Sequence, residues 1–307
     1  MATGIGAARL TDLLGAAGVF SGQVPRQPVA AGPPAVPATV LAALAAAGPE
    51  ARARVLDPLG RDGDVPRPGR PAPLLLPELV PGLPGGPTAG RPGSPARQVD
   101  ATTCGAAVLV MLRLAGDAAS ALALAVDPRG AWEAFARRQR EVHARARRLW
   151  PGRLGTPPWG AAREARYGPL RGKRPGAGPV RYTHRVVRRS EPPEGPRSVL
   201  AAALASAGAG IPVPLYTGGD LRGGVSTAVP RHVVLLTAVR PTDAGPVATV
   251  YEPSSGALHA VPVDALRAPG TDDADRVARR RALGGWPHVV WALLPREERG
   301  SGTAWGT

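Results

Sequence analysis

The sequence predicts an α+β fold, with helices packed on one side of an antiparallel sheet, and three observations carry that expectation. Alanine- and leucine-rich stretches with helical stop signals precede residue 210. Five short apolar runs, separated by Gly, Pro and Asp turns, follow it. Helices first and strands later is an α+β order rather than the alternation of a parallel α/β sheet. A chain of 307 residues buries a large core, so one main domain behind a long decorated front end is expected.

The elements follow in order. Residues 1–57 read as N-terminal helical segments, near Arg9 to Phe20 and Ala38 to Leu56, joined by a Pro/Gly/Gln stretch. Residues 58–95 form a Pro/Gly-rich connector, because proline after proline removes backbone donors and forbids helix interiors. Within it LLLPELV carries enough apolar area to lie against a neighbouring surface. Residues 96–296 form the main domain, and 297–307 a flexible tail. After Cys104, GAAVLVMLRLAG is apolar at nearly every position and stops at Gly116, the pattern of a buried helix. Residues 131–149 read as a strongly charged helix with apolar spots at Trp132, Phe135 and Val142. The stretch from Trp150 to Ser190, including LGTPPWG and RYTHRVVRR, reads as basic loop, and 198–208 as a helix ending at glycine. The strands are IPVPLYTG, HVVLLTAV, VATVYEP, LHAVPV and WPHVVWALLP.

A formal charge of +15 suggests a polyanionic partner. Lys173 is the single lysine, however, so the charge is arginine scattered through a sequence crowded with 40 Gly and 37 Pro, and only 4% of residues are aromatic. That composition lacks the stacking platforms of a nucleic-acid binder, and nucleic acid is not expected as the partner. The segment MATGIGAARLTDLLGAAGVFSG lacks a basic n-region and an unbroken apolar h-region. With no stretch near the roughly 20 apolar residues of a membrane span, the expectation is a cytoplasmic protein with no membrane partner.

One cysteine allows neither an intrachain disulfide nor a thiolate metal cluster. His143, His184, His232, His259 and His288 are widely spaced, with no i, i+4 pair on one helix face. TGGDLRGG, 217–224, lacks the Gly-Lys-Ser/Thr ending of a phosphate loop and reads as a flexible flap. No metal and no cofactor are expected.

The chemistry therefore rests on Cys104, in QVDATTCGAAVL. A thiol at a helix N-terminus gains from unpaired N–H groups and the positive end of the dipole; a free cysteine is equally at home as a small core residue. Gly105 offers no side chain to obstruct an approaching carbonyl. Gln98, six residues earlier, could turn its amide toward a developing oxyanion beside the Cys104 N–H. A hairpin centred near Asp243 places position 232 opposite roughly position 254 and so brings Glu252 beside His232. A carboxylate there would hold the imidazole in one tautomer. Asp243 and Asp264 are alternative orienting carboxylates, and His259 and His288 read as structural.

These residues resemble a known family. Gln98-Val-Asp-Ala-Thr-Thr-Cys104-Gly-Ala-Ala is similar to the Q-x-D-x-x-D-C-G-x-A segment of the C39-like cysteine peptidases, which have a papain-like fold. Pro230-Arg-His232-Val-Val-Leu, followed by Val250-Tyr-Glu-Pro-Ser-Ser-Gly256, resembles that family's histidine strand and the D/N-P-x-x-G after it. The resemblance, over roughly residues 96–264, implies Cys104 as nucleophile, His232 as general base and acid, Gln98 as oxyanion donor and Glu252 as orienting group, acting on a peptide or protein substrate. Two positions depart from the pattern: Thr103 replaces an acidic residue, and Glu252 is one methylene longer than Asp. Two other classes remain open, a catalytically inactive papain-fold binding module for a peptide or protein partner, and a basic nucleic-acid binder whose cysteine is incidental.

Overall fold

The valine- and leucine-rich runs of the last third hydrogen-bond side by side in a computed structural model of the chain, which describes residues 9, 11–13, 17, 22–25, 35–79, 93–148, 150–168, 179–192, 195, 197–221, 230–268 and 272–296. Lys173, the tail 297–307 and residues 222–224 of the glycine-rich flap lie outside these.

Among the described residues eight strands form one antiparallel sheet: β1 (Ala72–Pro73), β2 (Arg166–Tyr167), β3 (Val180–Val186), β4 (Val213–Gly218), β5 (His232–Arg240), β6 (Val247–Glu252), β7 (Ala257–Pro262) and β8 (His288–Arg296), in the order β1-β7-β6-β5-β4-β8-β3-β2. The central strand β5, HVVLLTAVR, is apolar on both sides because both faces of the sheet are covered. Val233 and Leu235, with Tyr216, Tyr251 and Trp291, face one core. Val234 and Leu236, with Val213, Leu215 and Val250, face a second.

The first core is filled by α3 (Cys104–Gly116), twelve of whose thirteen residues are buried, with α4 (Ala118–Ala125), α5 (Ala131–Arg147) and α6 (Pro158–Glu164) around it. Helices α1 (Ala38–Ala43) and α2 (Pro49–Leu56) join the same core through Val40 and Val55. The connector does as well, through Leu74 and Leu76, while its β1 pairs with β7. The second core is covered by α7 (Val199–Gly208), α8 (Val263–Arg267) and α9 (Asp273–Ala282). The helices thus cover both faces of the sheet, not one side as expected. Ser198 caps α7 by accepting from the Ala201 N–H, and Asp117 caps α4 through the Ala119 N–H. No single helix among the described residues is long and apolar enough to cross a membrane; α3 and α4 are apolar together but bent by 112°.

Two stretches differ from expectation. RYTHRVVRR contains strand β3, and PWGAARE within 158–164 is helix α6. In β3, Tyr182 and Val186 turn inward while arginines alternate with them, so a period-2 pattern hides under basic composition. In α6 Pro158 stands in the first turn, where a missing N–H costs nothing.

Gly116 ends α3 for a reason other than a left-handed turn. A Cβ there would stand 2.2 Å from the Gly168 backbone nitrogen and 2.9 Å from the Tyr167 backbone. Gly116→Ala is expected to destabilise the protein by about 1–3 kcal/mol or more, since backbone rather than a side chain must give way; a lowered urea midpoint with unchanged slope is the check.

Candidate active site

Cys104 begins α3 because the turn before it is closed by short side chains. Asp100 Oδ1 accepts from Thr102 N and Thr102 Oγ1, both at 2.7 Å, and Thr103 Oγ1 donates to the Asp100 carbonyl while accepting from the Asp100 N–H, each at 3.0 Å. Thr103 is thereby consumed in the turn and makes no side-chain cap on α3. This is what threonine does at the position where an acid was the family's pattern. The first N–H groups of α3, Cys104's own among them, have no partner within the helix.

His232 opens β5 opposite Thr217 of β4. The hairpin β5–β6 turns between Arg240 and Val247, on Asp243, and pairs Leu235 with Tyr251, which brings Glu252 to the histidine. His232 Nε2 lies 2.8 Å from Glu252 Oε1. The carboxylate also accepts from Ser254 N (2.8 Å), Ser254 Oγ (2.7 Å) and Ser255 N (2.8 Å). The extra methylene of Glu252 is accommodated by this Ser-Ser turn, which grips both oxygens. The Cys104 thiol stands near enough to act on the imidazole, and is one of the two neighbouring side chains that raise its pKa. All three are buried, with 4% of Cys104, 9% of His232 and 3% of Glu252 exposed.

The segment before Cys104 and the turn after Glu252 are bound together. Gln98 N donates to Pro253 O at 2.8 Å, the Tyr251 hydroxyl to Ala96 O at 2.5 Å and Arg97 Nε to Ser255 O at 3.0 Å. The Gln98 amide donates from Nε2 to the Asp100 carbonyl at 2.8 Å, while Oε1 is buried with no partner among the described residues. That carbonyl fixes which end of the amide faces it, since a flipped amide would set two acceptors together. Of the alternative carboxylates, Asp264 is exposed and pairs with Arg267, and Asp243 is exposed in the turn.

Gly105 leaves room for protein, not only for substrate: a Cβ on it would stand 2.8 Å from Thr156 Cβ. Thr156 belongs to LGTPPWG and is held by the Tyr216 hydroxyl on its carbonyl at 2.9 Å. Trp159 of the same segment is 39% exposed and meets Trp150 edge-on at 5.1 Å. Sequence reasoning missed the supporting roles of Ser254, Ser255, Thr156 and Gly284. Gly284 has φ +66°, and a Cβ there would lie 2.3 Å from His232 Cδ2 and 2.6 Å from Nε2. The Gly-Gly pair before the last strand was the available signal. Gly284→Ala is expected to push the ring off Glu252, lower the His232 pKa and destabilise by about 1–3 kcal/mol; an NMR titration of His232 reads the first effect.

Burial alone would lower the His232 pKa, but the neighbouring Cys104 and Glu252 side chains outweigh it and push it up to about 9. Burial alone would raise Glu252, but His232 and Ser254 hold it down to about 2. The signs give a stability window. The His232 contribution is full below the ordinary value of 6.5 and is lost as pH rises through about 9. The Glu252 contribution is full above its ordinary 4.5 and is lost as pH falls through about 2. The thermal midpoint is therefore expected to be flat between pH 4.5 and 6.5 as far as this pair is concerned, and to decline on either side.

An antiparallel α+β fold that buries a thiol, an imidazole and a carboxylate together at the ends of its central strands is the class of protein defined at this level. Compared with protein-family models, with curated proteins and with solved structures, the chain matches none of them.

Proposed function

We propose that the chain is a cytoplasmic thiol hydrolase of the papain-like, C39-like class, acting on a peptide or related amide bond. The observation that supports this most is the buried histidine held by its carboxylate beside the thiol: Glu252 holds His232 Nε2 at 2.8 Å, and Cys104 is near enough to raise the ring's pKa. With Nε2 occupied, Nδ1 is the nitrogen left for the thiol.

In this reading the Cys104 thiolate attacks the carbonyl carbon, and the C–O π electrons move onto oxygen. The Cys104 N–H, at the start of α3, donates to that oxyanion. Gln98 spends one amide hydrogen on Asp100 and offers the second. On collapse the C–N bond breaks and the His232 imidazolium gives its proton to the leaving amine. Water then attacks the thioester, His232 takes its proton, and the carboxylic acid leaves as the thiolate–imidazolium pair is restored. Glu252 stays ionised throughout and holds the ring.

A second reading, a catalytically inactive papain-fold binding module for a peptide or protein partner, is favoured by the burial of both Cys104 and His232. Alkylation by iodoacetamide between pH 6 and 9 separates the two. The hydrolase reading expects Cys104 to react faster near neutral pH than a free-cysteine peptide, and His232→Ala to remove that advantage. A wild-type rate no faster than the peptide's, together with no cleavage of a peptide library, leaves the binding module standing.

A further inference from the structure

A cavity on the second-core side of the sheet, away from Cys104, has a cationic lining. It has a volume of about 460 Å³ and carries five arginines, Arg9, Arg188, Arg189, Arg267 and Arg279, beside His288. Only two carboxylates line it, Glu191 and Asp220. Glu191 is committed to backbone donors, accepting from Arg188 N at 3.1 Å and Val199 N at 3.0 Å, with Arg188 Nε 3.8 Å away. The nearby Asp12 likewise accepts from the backbone N–H of Arg9 and of Arg189. Asp220 stands 3.9 Å from His288 Nε2 and Arg267 pairs with Asp264, so the buried Arg279 is left with no carboxylate in ion-pair reach among the described residues.

Arg279 decides what the excess means. It rises from α9 with 6% exposure; Nη1 donates to the Pro287 carbonyl, and Nε is buried with no partner among the described residues. Arg9 is built alike: Nη2 reaches His288 Nδ1 at 3.1 Å and Nε is buried without a partner among the described residues. Burial, and then Arg9, make Arg279 costly to charge, whereas for Arg9 burial and Arg189 oppose the charge and Asp12 and Asp220 offset them. Burial and the cations around it hold His288 at about 4, so the imidazole is neutral and accepts from Arg9. A protein gains nothing in stability by burying like charges without counter-charge, and replacing such a group by an apolar one of similar shape is commonly stabilising.

We infer that this cavity is a binding site for a small phosphate-bearing ligand, with Arg279 and Arg9 as its principal anion contacts. Guanidinium forks suit the tetrahedral, multiply charged oxygens of phosphate better than a single carboxylate. The volume exceeds a bare phosphate and falls among ligand pockets of about 300–1,000 Å³, while Val187, Leu200 and Val289 supply an apolar wall for the rest of the molecule. Arg9 comes from the N-terminal segment, so the bound anion also ties that segment to β8 and α9. The site is independent of the hydrolase reading, and its test reads no hydrolysis.

The test titrates the full-length protein with inorganic pyrophosphate by calorimetry and thermal melting at 0.15 M salt, with citrate as the carboxylate arm. Wild type is expected to bind pyrophosphate saturably, at least about tenfold tighter than citrate, and to melt a few degrees higher at a hundredfold excess over Kd. Arg279→Met is expected to melt at or above the wild-type temperature without ligand and to lose at least about tenfold in pyrophosphate affinity. Arg9→Ala, outside the core strands and helices, is expected to lose affinity similarly and serves if the first variant does not fold. No saturable pyrophosphate binding, citrate binding as tight, or pyrophosphate affinity unchanged in the folded variants would overturn the inference.

Discussion

Cys104→Ala is expected to reduce hydrolysis of any cleaved peptide by at least about 10³-fold, to the background set by oxyanion donors and binding alone, with the fold retained. Removing Sγ deletes the nucleophile but little packing. Cys104 is 4% exposed and borders Gly105, whose backbone lies under Thr156, so the change leaves at most a sulfur-sized gap costing about 1 kcal/mol. A second consequence checks the geometry separately. Cys104 is the first of the two neighbours that push His232 up to about 9, so the variant's histidine should titrate lower, against Glu252 alone. Full hydrolytic activity in the variant would sink the nucleophile assignment; an unmoved His232 titration would sink the contact.

The parts of the molecule legible in the sequence are those with one dominant signal. Helix α3 is apolar on all sides and lies inside, and the turn at Asp243 set a hairpin that brings Glu252 to His232. What was not legible depends on partners distant in sequence. Strand β3 looked like loop because its inward Tyr182 and Val186 are only two apolar positions among arginines, and its partner is β8, more than a hundred residues on. Gly105, Gly116 and Gly284 each answer to an approach by another segment: Thr156, Gly168 and His232. Gln98 gives one amide hydrogen to the Asp100 carbonyl, a local hydrogen bond that spacing alone does not reveal. The arginines are scattered along the sequence. The cavity by His288 gathers five of them from four separate stretches.

Glu252→Ala is expected to cost both stability and chemistry, about 3–5 kcal/mol and about 10²–10⁴-fold in kcat/KM. The carboxylate is 3% exposed and accepts from His232 Nε2, Ser254 N, Ser254 Oγ and Ser255 N. Its loss leaves a buried imidazolium and two backbone N–H groups without an acceptor, and each buried unmet donor costs about 1–3 kcal/mol. The pH dependence should change with it: the variant loses the decline below pH 4.5 that Glu252 contributes, and His232 no longer stays charged toward pH 9. Glu252→Asp separates the two roles. Shortened by one methylene, the carboxylate cannot remain in the Ser254–Ser255 turn and reach Nε2 as well, so one set of hydrogen bonds must lengthen. If the turn keeps it, the protein melts near the wild-type temperature while the His232 pKa falls and hydrolysis drops; if the histidine keeps it, stability falls and the titration holds. Urea unfolding and an NMR titration of His232 on the same sample distinguish these outcomes, and a variant equal to wild type in both would show that Glu252 does not hold the ring.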